Sequence, residues 1–374
     1  MRRIKCLISL ILCLSILSLC LCSTGCSKKK YKPVESTAEE ARAVYTLTFG
    51  EQSYTVRYEL YRALFLNLKS EFDGGDPTVW EGEDKEEYIS AINAAILERV
   101  CEIYSAFALC DELGIDLYSG SVEDTIYSYI EAGVEGGDGV VGYGSYEEYL
   151  AALKKMNLNY SAQELMYRYS VAIDLIDEYY IGTFDAESIT DSISIGKLTY
   201  TREDVESFYF SEDCVRVLRV SIDPSNYYED QVEAKVNRIH SLICEAAQQG
   251  ERQVAIAMIN NTTTPGPEVE QGVIIARHNL DRAYFGQMTD AAFALGVGEV
   301  SEPIQVFDGS EAYYIMYRAE KSDESFSQSY SDIAMVFLRN IVGGYLDERT
   351  DALIESAVAE DLLSELDPSS ISME

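Results

Sequence analysis

Apolar residues recur at helical spacing over much of the chain, and short alternating stretches separate those segments. The most regular run has steps of three and four residues and predicts a long amphipathic helix: Ile89, Ile92, Ile96, Val100, Ile103, Phe107 and Cys110. Gly114 is placed to end that helix in a left-handed conformation. Earlier, residues 44–55 predict two short strands about a turn at Gly50, with Thr55 capping the next helix.

Three Ser-x-x-Asp/Glu patterns mark expected helix starts between residues 121 and 164. Such a pattern satisfies backbone N–H groups at both ends of the first helical turn. The pairs are Ser121 with Asp124, Ser145 with Glu148, and Ser161 with Glu164. Residues 43–190 are therefore predicted to be a mainly helical domain introduced by a small β element.

The second half of the chain predicts a mixed domain. A strand-turn-Thr pattern at residues 195–201 repeats the form of residues 49–55, and Thr201 is expected to cap a helix. An alternating strand at 214–222, a long helix at 227–249, short helices and a strand at 312–318 follow. The predicted class is α+β. A helix near 330–364 is expected to pack back on the N-terminal helices, because it cannot bury its apolar stripe alone (Ile333, Val336, Leu338, Ile341).

The N-terminus has the three parts of an export signal. Arg2, Arg3 and Lys5 precede an apolar run at 7–21, which is short for a membrane span. The run ends in Ser23-Thr24-Gly25-Cys26, which resembles the lipobox of bacterial lipoproteins, although Ser23 stands where leucine is usual. That resemblance implies cleavage before Cys26, lipid on Cys26 and an extracytoplasmic location on the outer face of the cell membrane. Ordinary signal cleavage, leaving a free secreted protein, is the alternative.

Charge and composition exclude several classes of binding partner and site. The formal charge of −35 becomes −38 when the signal's three cations are removed, so nucleic acid is not an expected partner. Four cysteines lie beyond Cys26 and predict no disulfide framework. With only His240 and His278, a histidine-rich metal site is not expected. No cofactor is expected either. The 28 tyrosines suit surfaces that bind peptides, or are simply half-buried.

One glycine pattern has a simple structural explanation. Residues 137–142 match GxGxxG, but no strand precedes them and no βαβ unit surrounds them. They are predicted to be a loop between helices. The chain has no GxSxG, no Walker lysine and no CxxC, and among sixty-four acidic residues a chance carboxylate pair is expected.

The segment at residues 293–304 has the sequence FALGVGEVSEPI. It resembles, nearly residue for residue, the segment before the last strand of the parvulin family of peptidyl-prolyl isomerases. Residues 215–222 and 312–318 stand where that family has its first and last strands. The helical N-terminal region resembles that of SurA/PrsA-type extracytoplasmic chaperones, in which a parvulin domain is inserted before a C-terminal helix.

The family's site is altered here. Its two histidine positions hold Arg219 and Tyr314. The apolar wall that grips proline corresponds to Tyr284, Met288 and Phe293, with Tyr314 as a further substrate contact. Catalytic residues are therefore unassigned. His278 is either a replacement for a lost histidine or an ordinary loop residue.

The resemblance implies a membrane-anchored chaperone or foldase that binds unfolded secreted polypeptides in a cleft between the two domains. The alternatives are an active isomerase with an altered site and a non-catalytic scaffold or binding lipoprotein. The predicted divisions are a signal peptide at 1–25, a tether at 26–42, a helical chaperone domain at 43–190, a parvulin-like domain at 191–321 and a C-terminal helical segment at 322–374.

Overall fold

The structure is a computed structural model, and it describes residues 30–74, 76–136, 142–182, 192–195, 198–223, 227–228, 231–262, 266–278, 280, 282–307 and 311–372. The chain forms two compact units. The first, here the helical unit, comprises residues 1–176 and 345–374, and the second, the sheet unit, comprises residues 177–344. The unit boundaries fall inside two helices. Cys26 lies outside the described residues.

The helical unit begins with an antiparallel hairpin of β1 (Ala43–Phe49) and β2 (Gln52–Arg57). Gly50 has a φ of +59° in its turn, a backbone conformation that glycine adopts without steric cost. The hairpin runs past Thr55, so the first helix begins at Tyr58 and the predicted cap at Thr55 is wrong. The helices that follow are α1 (Tyr58–Asp73), α2 (Lys85–Leu113), α3 (Gly120–Glu135), α4 (Tyr146–Lys155) and α5 (Tyr160–Tyr180).

Two predicted helix ends in this unit are confirmed. The Ser145 side chain accepts a hydrogen bond from the backbone N–H of Glu148 at the start of α4. Gly114 ends α2 with a φ of +72°. Both signals act within one turn of the chain, so local sequence was sufficient to predict them.

Two other predicted caps are wrong by two residues. Ser119, not Ser121, precedes α3, and its side chain makes no capping hydrogen bond. At α5, the Asn159 side chain accepts from the N–H of Ala162, which replaces the expected role of Ser161. The Ser161 hydroxyl instead lies 2.8 Å from that of Ser36, because a distant segment of chain packs there.

Residues 30–42, predicted as part of a tether, are packed against the helical unit. Lys30 Nζ lies 2.5 Å from a Glu135 carboxylate oxygen. The Tyr31 ring lies 5.1 Å from the Tyr146 ring, and the Tyr146 hydroxyl donates to the Lys32 carbonyl. The segment has no hydrophobic period of its own, so its order comes from these contacts with α3 and α4.

The sheet unit contains a hairpin and a four-stranded sheet. The hairpin is β3 (Ser192–Ile195) with β4 (Leu198–Thr201). Thr201 caps the next helix, as predicted, and forms a capping box with Asp204. The remaining elements are α6 (Arg202–Phe210), β5 (Cys214–Ile222), α7 (Val232–Ala247), α8 (Glu251–Ile259), α9 (Pro267–Glu270), β6 (Val273–Ala276), α10 (Arg282–Ala294), β7 (Ile304–Phe307), β8 (Glu311–Ala319) and α11 (Asp323–Gln328).

The sheet has the order β6-β5-β8-β7, and every neighbouring pair is antiparallel. Alternation along the central strands gives each face its own core. One face packs under α7 and α8 through Leu218, Val220, Ile222, Ile239, Ile243, Val254 and Met258. The other packs under α10 through Val215, Val217, Met316 and Ala292. Arg219 follows Val217 on this second face, so its position within the strand places it beneath α10.

The C-terminal elements are α12 (Tyr330–Ser356), β9 (Val358–Ala359) and α13 (Asp361–Glu365). From Tyr345 onward they belong to the helical unit, where β9 pairs with β1 and Arg349 forms an ion pair with Glu112. The predicted return of the C-terminal helix to the N-terminal helices is thus confirmed for this half.

The apolar stripe in the first half of α12 does not belong to the helical unit, so the prediction that it packs on the N-terminal helices is wrong for this part. Residues 330–344, which include the whole stripe, belong to the sheet unit. There the Phe337 ring contacts the rings of Tyr200 and Phe208, at centroid distances of 4.8 and 5.3 Å. Helical periodicity predicts that this stretch has an apolar face, but it does not specify that these residues group with the sheet unit.

The described chain is α+β, as predicted, with small antiparallel sheets and long helices. Within the described ranges, no helix has both the length and the apolar character needed to cross a membrane. The GxGxxG pattern lies between α3 and α4, and its residues 137–141 are outside the described residues.

Candidate functional site

The motif at residues 293–304 joins α10 to the sheet through a set of local hydrogen bonds. A Glu299 carboxylate oxygen accepts from the Gly296 N–H at 2.7 Å, and the Gly298 N–H donates to the Arg318 carbonyl at 2.8 Å. Gly298 has a φ of +90°, where a side chain would be strained. The Ser301 hydroxyl accepts from the Met316 N–H at 2.9 Å. The residue types of the motif are thus those that this turn requires.

Arg318 secures the other end of the same connection. Its Nη1 donates to the carbonyls of Ala292 and Leu295, at 2.9 and 3.4 Å, at the C-terminal end of α10. A cation there satisfies carbonyls that have no helical partner and complements the helix dipole. Burial lowers the pKa of Arg318. The result is that α10 is fixed over the sheet face that carries Arg219.

Arg219 and Tyr314 lie on neighbouring central strands of that face. In the antiparallel register, Arg219 is opposite Met316, and Ser221 is opposite Tyr314. The two side chains are therefore diagonal neighbours, and the Arg219 guanidinium carbon is 5.1 Å from the centre of the Tyr314 ring. This is a cation–π distance, so the two positions that the resemblance gives to histidines here hold groups that contact each other.

A carboxylate completes the contact. Glu268, on α9, accepts from Arg219 Nη2 at 2.7 Å and from Arg219 Nε at 3.0 Å, a two-pronged geometry. The Arg219 side chain is 17% exposed and that of Glu268 is 44% exposed. Glu268 is not among the site residues predicted from the sequence. The available signal was chemical: an arginine within a sheet needs an anion nearby, and Glu268 and Glu270 precede β6.

Met288 lies against the same guanidinium. Its sulfur is 3.9 Å from Arg219 Nη1, and the side chain is buried. Phe293, near the C-terminal end of α10, packs with the Val215 and Met316 cluster instead, and the Arg277 guanidinium carbon is 4.6 Å from its ring centre. The structure thus brings Arg219, Tyr314 and Met288 together and gives Phe293 different neighbours. The Tyr284 side chain lies outside the described side chains.

His278 is at the far end of the sheet from Arg219. It follows β6, whose residue Ala276 pairs with Cys214 at the beginning of β5. Arg219 is five residues along the strand from Cys214, a span of about 16 Å. The His278 backbone N–H donates to the Asn340 side chain at 3.0 Å. On this geometry His278 is a loop residue held by α12, and it does not replace a histidine in the strand.

The arrangement favours binding over proton transfer. A guanidinium stays protonated and so serves as neither acid nor base near neutral pH. The Met288 side chain and the Tyr314 ring offer apolar contact, and the Arg219–Glu268 pair offers donors and acceptors to a polypeptide backbone. Among the residues that the structure describes, no three His, Cys, Asp or Glu side chains group as a metal site would require.

Comparison with known proteins gives structural likeness only. No family model matches the chain, and no curated protein matches it. One similar solved structure is the foldase protein PrsA from Streptococcus pneumoniae strain Canada MDR_19A, with 17% identity, a TM-score of 0.26, and coverage of 76% of this chain and 93% of that one.

A second is the foldase protein PrsA from Lactococcus lactis, with 14% identity, a TM-score of 0.23, and coverage of 88% of this chain and 97% of that one.

Proposed function

We propose that this protein is an extracytoplasmic chaperone that binds unfolded secreted polypeptides and has little or no prolyl isomerase activity. The proposal joins two kinds of support. The motif at residues 293–304 resembles the parvulin family in sequence, and its hydrogen bonds form the connection between α10 and the sheet. The polar centre of the corresponding site has been replaced.

The observation that carries the proposal is the Arg219–Glu268 ion pair. Catalysis of X-Pro rotation lowers a barrier of ~18–20 kcal/mol, and it does so where the amide is desolvated beside a polar group suited to the twisted state. Beside the Tyr314 ring this protein instead has an ion pair, and 44% of the Glu268 side chain is open to solvent. Removing water from it to seat proline would cost free energy. This surface is therefore better suited to weak binding of many polypeptide sequences than to tight binding of a single X-Pro bond.

Location is part of the same proposal. The signal-like residues 1–25 and Cys26 support export and lipid attachment to the outer face of the membrane. Clients would then be chains that emerge from the export machinery. Each buried lipid methylene contributes ~0.8 kcal/mol, so attachment through two or more acyl chains would be lasting.

Two assays on the mature protein test the functional part. Exchange spectroscopy by NMR on an X-Pro peptide should give a turnover at least ten-fold below that of an active parvulin measured beside it. Light scattering on a chemically unfolded client should show less aggregation when the protein is present. Parvulin-like turnover would favour an active isomerase instead, whose remaining polar group would be the Tyr314 hydroxyl. Inactivity in both assays would favour a scaffold lipoprotein.

A further inference from the structure

The helical unit contains a pocket of about 520 Å³ that the parvulin resemblance does not account for. Residues of the segment 34–40 form one side of it, and α1, α4, the residues before α5 and the C-terminal residues Ser370 and Ser372 form the rest. This size lies within the range of pockets that enclose small ligands or a few residues of peptide. All of its lining residues are in the helical unit.

One part of the lining is apolar and only partly filled by the protein itself. Leu150 and Leu158 are half-buried, Leu153 is buried, and Val34 is 44% exposed. Leu150, Leu158 and Val34 therefore keep apolar surface in contact with water. An aliphatic or aromatic side chain entering the pocket would remove that surface from solvent, which favours binding.

The charged part of the lining is balanced. Arg62 Nη2 donates to Glu40 at 2.7 Å, and both side chains are largely enclosed. Lys154 and Glu39 contribute one further charge of each sign. The four charges sum to zero in a chain of net charge −35, whose overall field repels anions. An uncharged ligand is therefore the best match.

One donor in this wall lacks an acceptor. The Nε–H of Arg62 is buried and has no hydrogen-bond partner among the described residues. A buried donor in this state has lost its hydrogen bond to water without a replacement. A carbonyl oxygen that entered the pocket would supply the missing acceptor once the Arg62 side chain turned toward it. Peptide backbones present such carbonyls at every residue.

We propose that this pocket binds a short, uncharged and extended segment of an unfolded polypeptide, with one apolar side chain against the leucines and a backbone carbonyl on Arg62. The inference rests on the proposed chaperone function for the source of the segment. It places the principal client contact in the helical unit, not at Arg219 and Tyr314.

Binding of the peptide acetyl-Gly-Ser-Leu-Phe-Ser-Gly-amide, capped at both ends and measured by isothermal titration calorimetry, tests the proposal. Leu150→Trp fills the pocket and should raise the Kd at least ten-fold. Ala151→Trp adds the same ring to an exposed site on the same helix and should leave the Kd unchanged.

Arg62→Lys keeps a cation beside Glu40 but removes the guanidinium Nε–H, and should weaken binding about ten-fold. A peptide with Asp at both apolar positions should bind at least ten-fold more weakly. Equal binding by the two Trp variants, or tight binding of the acidic peptide, would overturn the proposal.

A second measurement does not depend on altering the leucines. A photo-crosslinking residue at position 154, which lines the pocket, should capture an unfolded client, whereas one at the exposed neighbour 155 should not. Equal capture at both positions would contradict the proposal. If the Leu150→Trp variant still suppresses aggregation, the pocket is not the client site, but the proposed chaperone function stands. If the wild-type protein binds peptide at position 154 but does not suppress aggregation, the pocket proposal stands and the chaperone function is wrong.

Discussion

Arg219 and Glu268 join two elements of the sheet unit through three hydrogen bonds: Nη2 donates to Oε1 and to Oε2, each at 2.7 Å, and Nε donates to Oε2 at 3.0 Å. The two residues are 49 positions apart in sequence. Their contact holds the short helix α9 beside the centre of β5. It also fixes a charge pair where the parvulin resemblance gives a histidine.

Replacing Glu268 with glutamine should destabilise the sheet unit by about 1–3 kcal/mol, between the values for exposed and buried ion pairs. The reason is that the Arg219 guanidinium would remain largely buried but would no longer have a negatively charged partner. Hydrogen exchange of the β5 and β6 amides measures the effect. Glu270→Gln, an exposed substitution on the same short helix, is the matched control. Identical exchange in the two variants would mean that the pair contributes no stability.

Glu40 should give the helical unit an acid-sensitive component of stability. Burial raises the pKa of Glu40, but hydrogen bonds from the Thr37 N–H, Arg62, the Thr37 hydroxyl and Asn159 outweigh it and lower the pKa from 4.5 to about 2. A depressed carboxylate pKa means that the stabilisation is complete above pH 4.5 and is lost as the pH falls toward 2.

Glu40→Gln tests this dependence. Solvent reaches part of the Glu40 side chain, so the substitution should lower the free energy of unfolding by only about 1–2 kcal/mol at pH 7. Near pH 2 it should lower it by almost nothing. Trp80 is the chain's one tryptophan and is fully buried in the helical unit, so its fluorescence reports unfolding there. Glu39→Gln, at an exposed neighbouring position, is the control. A cost for Glu40→Gln that does not change between pH 7 and pH 2 would exclude this carboxylate as the source.

Removing residues 357–374 should lower the melting temperature of the helical unit. The truncation deletes the pairing of β9 with β1, the Thr46–Glu360 hydrogen bond at 2.6 Å and the Arg42–Glu365 ion pair. A loss of about 2–3 kcal/mol corresponds to roughly 4–12 °C for a unit of this size. Val358→Thr leaves the backbone pairing and changes only an exposed side chain, so the Trp80 transition should not move. An unchanged transition in the truncated protein would show that these contacts add nothing.

The anchor prediction concerns Cys26. Cys26→Ala should abolish incorporation of a labelled fatty acid and shift the protein from the membrane to the soluble fraction, because the acyl chains supply the attachment. Cys22→Ala, directly after the apolar run of the signal, leaves the modified residue in place and should still be labelled. A wild-type protein that takes up no label would end the lipoprotein hypothesis and favour ordinary secretion.

The sequence predicted the parts of this protein that depend on neighbouring residues. The period of α2, its end at Gly114, the caps at Ser145 and Thr201 and the strand at β5 each follow from side chains within a few positions of one another. The motif at residues 293–304 is also local. Its turn conformation comes from Gly298, and the carboxylate that closes it is Glu299.

Tertiary structure determined which residues of different elements contact one another. A sheet arginine needs an anion, but only the packing of α9 against β5 selects Glu268 from sixty-four acidic residues. Residues 30–42 carry no periodic pattern, yet contacts with α3 and α4 order them. The pocket beside Arg62 combines residues 34–40 and the C-terminal residues Ser370 and Ser372 with α1, α4 and the chain around the start of α5. Such sites depend on contacts between residues far apart in sequence, and those contacts are set when apolar faces pack and each buried polar group finds, or lacks, a partner.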